Sequence, residues 1–175
     1  MVIFRKATEN DIDKVAEIYC DIHTCEEKGL TEIGWIRDIY PTYETAKNAF
    51  IRGDLFVAED GAEIVGTAII NNQQVAEYKK GNWQYDAPDN EVMVLHTLVI
   101  SPKKSGMGYG KKFVDFYEQY ALSGNCMYLR MDKNKKNKCA RAMYKKLGYA
   151  EIGIVDCIFN GIADVKLVLL EKKLP

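Results

Sequence analysis

Apolar residues recur along this chain with two different spacings, and their alternation predicts the order of the elements. Val2 to Lys6 predicts a short strand, and Ile12, Val15, Ala16, Ile18, Tyr19 and Ile22 then mark one face of a helix. Thr8-Glu9-Asn10-Asp11 gives that helix a capping start. Pro41-Thr42 opens a second helix that runs to about Ile51 and closes at Gly53. Leu55 to Glu59 and Ile64 to Ile70 predict two strands joined at Asp60-Gly61. Residues 71–90 are polar and predict a long loop. Val92 to Ile100 is almost continuously apolar, as a strand covered on both faces is. Phe113, Val114, Phe116, Tyr117, Tyr120 and Ala121 supply the stripe of the next helix, and Met127 to Met131 another strand. A helix from about Asn137 carries Ala140, Met143, Tyr144 and Leu147 and stops at Gly148. Strands at about 149–159 and 162–170 meet at Asn160-Gly161, a strong hairpin signal. This order predicts a single α/β domain over residues 1–175, with a mixed central sheet flanked by helices. No repeat, low-complexity tract or linker divides it.

Composition narrows the class. A chain of 175 residues, 47% hydrophobic and 28% charged, suits one soluble globular core. Its apolar runs fall far short of the roughly 20 residues a membrane helix needs. Arg5 and Lys6 interrupt the N-terminus before a secretory segment develops. The five cysteines are odd in number and scattered, with no C-x-x-C. That spacing predicts no zinc or other metal site and no disulfide framework, but buried thiols in a reducing, cytoplasmic setting.

The net charge of −1 hides a segregation. Residues 1–100 carry 9 basic and 18 acidic side chains, whereas residues 101–146 carry 12 and 3. A basic block of this kind points to a polyanionic ligand, the plainer alternative being a solvated lysine face. Nucleic acid is a poor candidate for that ligand, because few aromatic residues interleave with the lysines.

The block surrounds Ser101-Pro102-Lys103-Lys104-Ser105-Gly106-Met107-Gly108-Tyr109-Gly110, a glycine-rich turn between strand and helix. A Walker A loop is excluded: the first glycine would fall on Ser105 and the hydroxyl position on Lys112. A dinucleotide fingerprint lacks its G-x-G-x-x-G spacing, although Asp132 at the end of the next strand stands where its acidic residue would be. The stretch from Val99 resembles instead the acetyl-coenzyme A loop of the GNAT superfamily of N-acetyltransferases, V-x-P-x-x-R/Q-G-x-G-x-G/A. Ser105 replaces the usual Arg or Gln, and the proline is displaced by one position. Asn137 to Tyr149 resembles the same superfamily's N-x-x-A-x-x-x-Y-x-x-x-G-F/Y segment, with each specified position filled.

The resemblance spans essentially the whole chain and implies the GNAT fold with acetyl-CoA as co-substrate and no metal. It implies cofactor binding by Ser105, Gly106, Met107, Gly108, Tyr109, Gly110 and Lys111, the N–H groups from about Gly106 to Lys111 cradling a pyrophosphate at a helix N-terminus. Main chain of Leu98, Val99 and Ile100 would pair with pantetheine lying in a gap beside the strand. Asn137, with Ala140, would contact the cofactor arm, or Asn137 would simply cap its helix. Tyr144 matches the general acid that protonates the departing thiolate. Leu95-His96-Thr97-Leu98 resembles the histidine-bearing strand of the arylalkylamine branch, which makes His96 the first candidate for general base, beside a purely structural reading. Glu91 is the second candidate. Trp35, Arg37 and Tyr40, with Trp83 and Tyr85, lie in the two segments that set acceptor choice in this fold. They would wall an acceptor pocket, or pin those segments to the core. His23 is expected at a surface or helix end. The expected acceptor is a small-molecule or peptide amine, with no nucleic acid and no membrane involved. The exposable edges of the last hairpin leave room for a homodimer. A catalytically idle domain that binds coenzyme A as a sensor or scaffold is the alternative.

Overall fold

Both periodicities survive as elements in the computed structural model, which describes all 175 residues. The strands are β1 (Val2–Lys6), β2 (Leu55–Asp60), β3 (Glu63–Asn71), β4 (Val92–Ile100), β5 (Tyr128–Asn134), β6 (Ala150–Phe159) and β7 (Ile162–Lys173). The α-helices are α1 (Ile12–Glu27), α2 (Tyr43–Arg52), α3 (Tyr109–Ser123) and α4 (Lys138–Lys146). All seven strands join one sheet in the order β1-β2-β3-β4-β5-β7-β6. Every neighbouring pair is antiparallel except β4 with β5. The sheet is therefore mixed, as the element order predicts.

β5 and β7 each run three residues past their predicted ends, through Asp132-Lys133-Asn134 and Glu171-Lys172-Lys173. Hydropathy misses these residues because they are polar; the ladder from Tyr128↔Lys173 to Asn134↔Leu167 holds them by main chain. Alternating side chains divide the core. Phe56, Leu95 and Met131 face α3 and α4 on one side, where Phe113, Val114 and Tyr117 are fully buried. Burying each such side chain stabilises the fold by roughly 1.5–3 kcal/mol. On the other side α1 and α2 cover Leu55, Val57, Ile69 and Val99. Farther along that face the covering layer is not a helix but residues from the 71–90 segment, with Tyr78 against Val92, Val94, Leu167 and Leu169.

That segment is less loop-like than its polarity suggests. It contains two short 3-10 turns, Ala76–Lys80 and Asp89–Glu91, and Tyr78 is 2% exposed. Its fastening is a buried cation. The Arg130 guanidinium lies 4.1 Å from the Trp83 ring centre and donates to Gln74 Oε1 (2.7 Å) and to the Tyr85 carbonyl (2.8 Å). Glu171, 3.5 Å from Arg130, accepts from the Gln84 N–H at 2.8 Å. Two smaller expectations are corrected as well. His23 is buried, not superficial, because its Nε2 bonds the Pro41 carbonyl at 2.9 Å and ties α1 to the segment before α2. Of the five free thiols only Cys126 is buried, while Cys20 and Cys139 are exposed.

Candidate functional site

The parallel ladder between β4 and β5 pairs Val92 with Tyr128 through Leu95 with Met131, and then stops. Both strands continue, so the main chain of residues 96–100 stays beside β3 but has no strand on its β5 side. The cause lies in β4. Ile69 faces His96 and Thr67 faces Val99, which leaves Ala68 opposite both Thr97 and Leu98. This bulge bends the strand away from β5. Thr97 takes φ +48°, a strained conformation for a β-branched residue. The Tyr40 hydroxyl, hydrogen-bonded to Thr97 Oγ1, holds it there. β5 meanwhile stays with β7. A cleft of about 1490 Å³ opens between them, lined among others by Leu98, Val99 and Ile100.

At one end of the cleft is the glycine turn. Gly106 and Gly108 have φ of +78° and +80°, and a Cβ built on either would meet nothing within 4 Å. Their need for glycine is thus conformational, not a matter of protein crowding. At Gly110 a Cβ would only make ordinary contact with Met143 Sδ, 3.4 Å away where α3 meets α4. The N–H groups of Gly106, Met107, Gly108, Tyr109, Gly110 and Lys111 make no hydrogen bond to any protein acceptor. Six consecutive free donors at a helix N-terminus form a site for an anion with several oxygens, such as a diphosphate. Ser105 and Lys111 line the cleft beside them; Met107 is exposed and points away from it.

The lysines of the basic block separate into two groups. Lys103 is paired with Asp21 at 2.9 Å and Lys104 with Glu63 at 2.8 Å. Lys111, Lys136, Lys138 and Lys146 line the cleft without a carboxylate partner. Asn137 caps α4, its Oδ1 accepting from the Ala140 N–H at 3.1 Å, and both residues also line the cleft. The capping and the contact are therefore compatible.

Tyr144, projected from α4 over the gap, is 1% exposed, and its hydroxyl has no hydrogen-bond partner in the protein. Burial, with Asp132 nearby, raises its pKa, so the phenol holds its proton at neutral pH. Lys133 Nζ sits 5.4 Å from the Tyr144 ring centre. Burial lowers the pKa of this lysine, against the opposing pull of Asp132. His96 lies on the opposite face. Its Nε2 is 3.1 Å from Asn71 Oδ1. That oxygen also accepts from the Gln73 N–H, while Asn71 Nδ2 donates to Asp54 Oδ2, so the amide orientation is fixed and His96 Nε2 is the donor. Burial pushes the His96 pKa down to about 4, Lys133 adding to the shift and the Gln73 backbone opposing it.

Among the other predicted site residues, Trp35 and Tyr40 line the cleft, with ring centres 6.0 Å apart and edge to face. Four do not. Arg37 turns outward to Glu27 at 2.7 Å. Trp83 and Tyr85 are engaged by Arg130, and Tyr85 also packs on Tyr128. Glu91 closes a 3-10 turn before β4 and lies off the cleft, five residues from His96 and so about 16 Å of extended strand away. Sequence reasoning passed over Thr97, Asn71 and Arg52 as site residues, counted Lys133 only among the basic residues flanking the pyrophosphate site, and weighed Asp132 only as the acidic residue of a dinucleotide fingerprint; all five line the cleft. Only the end of a strand pairing brings them together, and no local motif marks it.

Residues 13–149 match the family model described as acetyltransferase (GNAT) family. No curated protein matches the sequence. Solved structures do. A GNAT-family acetyltransferase from Streptococcus agalactiae 2603 superposes with a TM-score of 0.84 at 19% identity, over 99% of this chain and 96% of its own. A ribosomal-protein-alanine N-acetyltransferase from Brucella melitensis gives 0.72 at 17% identity, over 98% and 99%. An N-acetyltransferase from Staphylococcus aureus Mu50 gives 0.72 at 14%, over 100% and 99%. At these identities the likeness is one of fold.

Proposed function

The chain belongs to the acetyltransferase (GNAT) family, and we propose that it transfers the acetyl group of acetyl-CoA to a primary amine by direct attack on the thioester. One observation carries the reading: six unsatisfied N–H groups, Gly106 to Lys111, stand at the mouth of a gap in the sheet where β4, still paired with β3, has no partner on its β5 side. Such an arrangement suits a diphosphate joined to an extended amide chain. Acetyl-CoA would supply the acyl group as a thioester. Gly106 to Lys111 would donate to its diphosphate, Leu98 to Ile100 would pair with its amides, and Lys111, Lys136, Lys138 and Lys146 would raise local anion affinity.

On the reacting side, the amine nitrogen gains the acetyl carbon and loses a proton, while the sulfur loses that carbon and gains a proton. Tyr144 is the donor to sulfur in this reading: its hydroxyl is free, protonated and over the gap. His96 is assigned no proton transfer. Its pKa of about 4 lies some six units below that of an alkylammonium, a poor match for a general base. Water takes that proton, and His96 with Asn71 forms part of the acceptor wall.

Acetyl-CoA is expected to raise the melting temperature by mass action, and NADH to leave it unchanged. Tyr144→Phe should lower kcat for transfer about ten- to a hundredfold, the lower range of acid catalysis, because a thiol near pKa 8.5 leaves tolerably without help. Unchanged turnover in that variant removes the role from Tyr144. Binding of acetyl-CoA with no transfer to any amine would replace the enzyme by an idle coenzyme A-binding domain.

A further inference from the structure

The acceptor wall carries one carboxylate with no cation paired directly to it. Asp132 follows directly on the last paired residue of the β4–β5 ladder. Its register opposite Leu169 turns it to the face of Trp35 and Tyr40, away from α4. The Tyr78 hydroxyl donates to its Oδ2 at 2.9 Å. Its Oδ1 makes no hydrogen bond, and no lysine, arginine or histidine nitrogen lies within 4.0 Å of either oxygen. The two cations nearby are otherwise engaged. Arg52 is held by Asp54 at 2.9 and 3.1 Å. Lys133, one residue on, pairs with Val168 and projects to the opposite face beside Tyr144. Around the carboxylate the cleft is apolar, through Trp35, Phe159, Ile162, Val165 and Leu167.

An ionised carboxylate at the edge of an apolar pocket is costly to keep, and its pKa is raised by burial and by Glu77, with Lys133 and the Tyr78 hydrogen bond opposing. Structural needs do not account for it, since Tyr78 would find water or a neutral amide as readily. A cation entering the pocket removes the penalty, and aromatic walls at Trp35 and Tyr40 favour the same charge. An anionic group would meet repulsion there, and an alcohol would leave the carboxylate unpaired.

We propose that Asp132 anchors the ammonium group of the acceptor as it enters, and that the acceptor is a cationic primary alkylamine with an apolar body. The ammonium gives one proton to water to become the attacking amine, and that nitrogen gives water a second as the amide forms, while Tyr144 protonates the sulfur and is reprotonated from water. The proposal rests on the acetyl-transfer reading and names the substrate class of that same site. Hexylamine and hexanol, alike in length and different in charge, serve as probes with coenzyme A present. Hexylamine should raise the melting temperature of the wild type and hexanol should not. In steady-state transfer to hexylamine, Asp132→Asn should raise the KM for the amine about a hundredfold, as expected for truncating one partner of a desolvated charge pair, with kcat within threefold. Its KM for acetyl-CoA should stay unchanged, which also shows the variant folded. Asp132→Glu should recover most of the loss, since it keeps the charge.

Equal protection by hexanol, no protection by any amine, or an amine KM within threefold in Asp132→Asn overturns the proposal while leaving acetyl transfer standing. Absence of stabilisation by acetyl-CoA in the wild type removes the acetyl-transfer reading itself, and this proposal with it.

Discussion

On the α3–α4 side the cleft is built from main chain, and on the α1–α2 side from side chains. Gly106 to Lys111 offer N–H groups that need only the right φ values, and the residues supplying them lie within six positions of one another. The opposite wall draws on separate segments: Trp35 and Tyr40 before α2, Asn71 at the end of β3, His96 on β4 and Asp132 on β5. A wall of backbone donors recognises a group present in every reaction of this kind and tolerates side-chain variation. A wall of side chains can be retuned one residue at a time. The two sides should therefore fail differently when altered.

The largest effect is expected on the backbone side. Gly108→Val puts a β-branched residue at φ +80°, which costs about 1–3 kcal/mol where the turn must keep its shape. If the turn relaxes instead, its donors swing away. Relaxation is the expected outcome, because a Cβ there meets nothing that would hold the turn in place. Acetyl-CoA should then bind more than about a hundredfold more weakly, each lost charge-assisted hydrogen bond contributing about 1.5–3 kcal/mol. Calorimetric titration measures it. Retained affinity would mean that these donors do not hold the ligand.

The two tryptophans sharpen the contrast, because their sequence surroundings are similar and their settings are not. Trp83 donates to the Tyr78 carbonyl at 2.8 Å and covers Arg130, so Trp83→Ala should lower unfolding free energy by about 3 kcal/mol. The amine KM should then change by less than twofold. Trp35, between the two clusters on the α1 face, should show the reverse: Trp35→Ala raises the amine KM about tenfold with less than half that stability loss. Denaturant melts and kinetics on the same preparations test both. A shift in amine KM in Trp83→Ala would return that residue to the acceptor wall.

Which parts were legible follows from sequence separation. The glycine turn and the Asn137–Tyr149 segment are local patterns, and the fold places them as read. The strand and helix order was legible throughout, since burial alternates with element type. The acceptor wall depends on contacts that no window contains: Tyr40 with Thr97, Arg130 with Tyr85, and Gln84 with Glu171, up to 87 residues apart. Two tryptophans in polar segments gave one signal and met two fates, decided by whether Arg130 lay beneath. Asp132 came to notice only through a fingerprint that failed, because the end of the β4–β5 ladder gives a residue its role without leaving a mark on its neighbours. The same distance hid the partners of Lys103 and Lys104, whose charges count toward the basic block but are answered by Asp21 and Glu63.

The smallest effect, and the one that decides the place of His96, is a pH dependence. Its folded pKa of about 4 lies below the value of about 6.5 expected in the unfolded chain, so between those values the unfolded state binds more protons. Stability linked to His96 is thus fully present above about pH 6.5 and is lost as pH falls through 4. The shift itself would correspond to about 3 kcal/mol, reduced to about half in a cleft open to water. His96→Gln, which retains an N–H donor toward Asn71, should lack that portion of the acid sensitivity, so the wild type should lose stability relative to the variant as pH drops from 6.5 to 4. Lys133 and Arg52 add to the effect of burial on this imidazole and Asp54 only partly opposes it, so His96 stays neutral where it stands. Parallel pH curves for the two proteins, or an imidazole titrating near 7 by NMR, would show that burial does not hold His96 neutral. The histidine would then be a competent base, and the acceptor side would contribute to the chemistry as well as to the choice of amine.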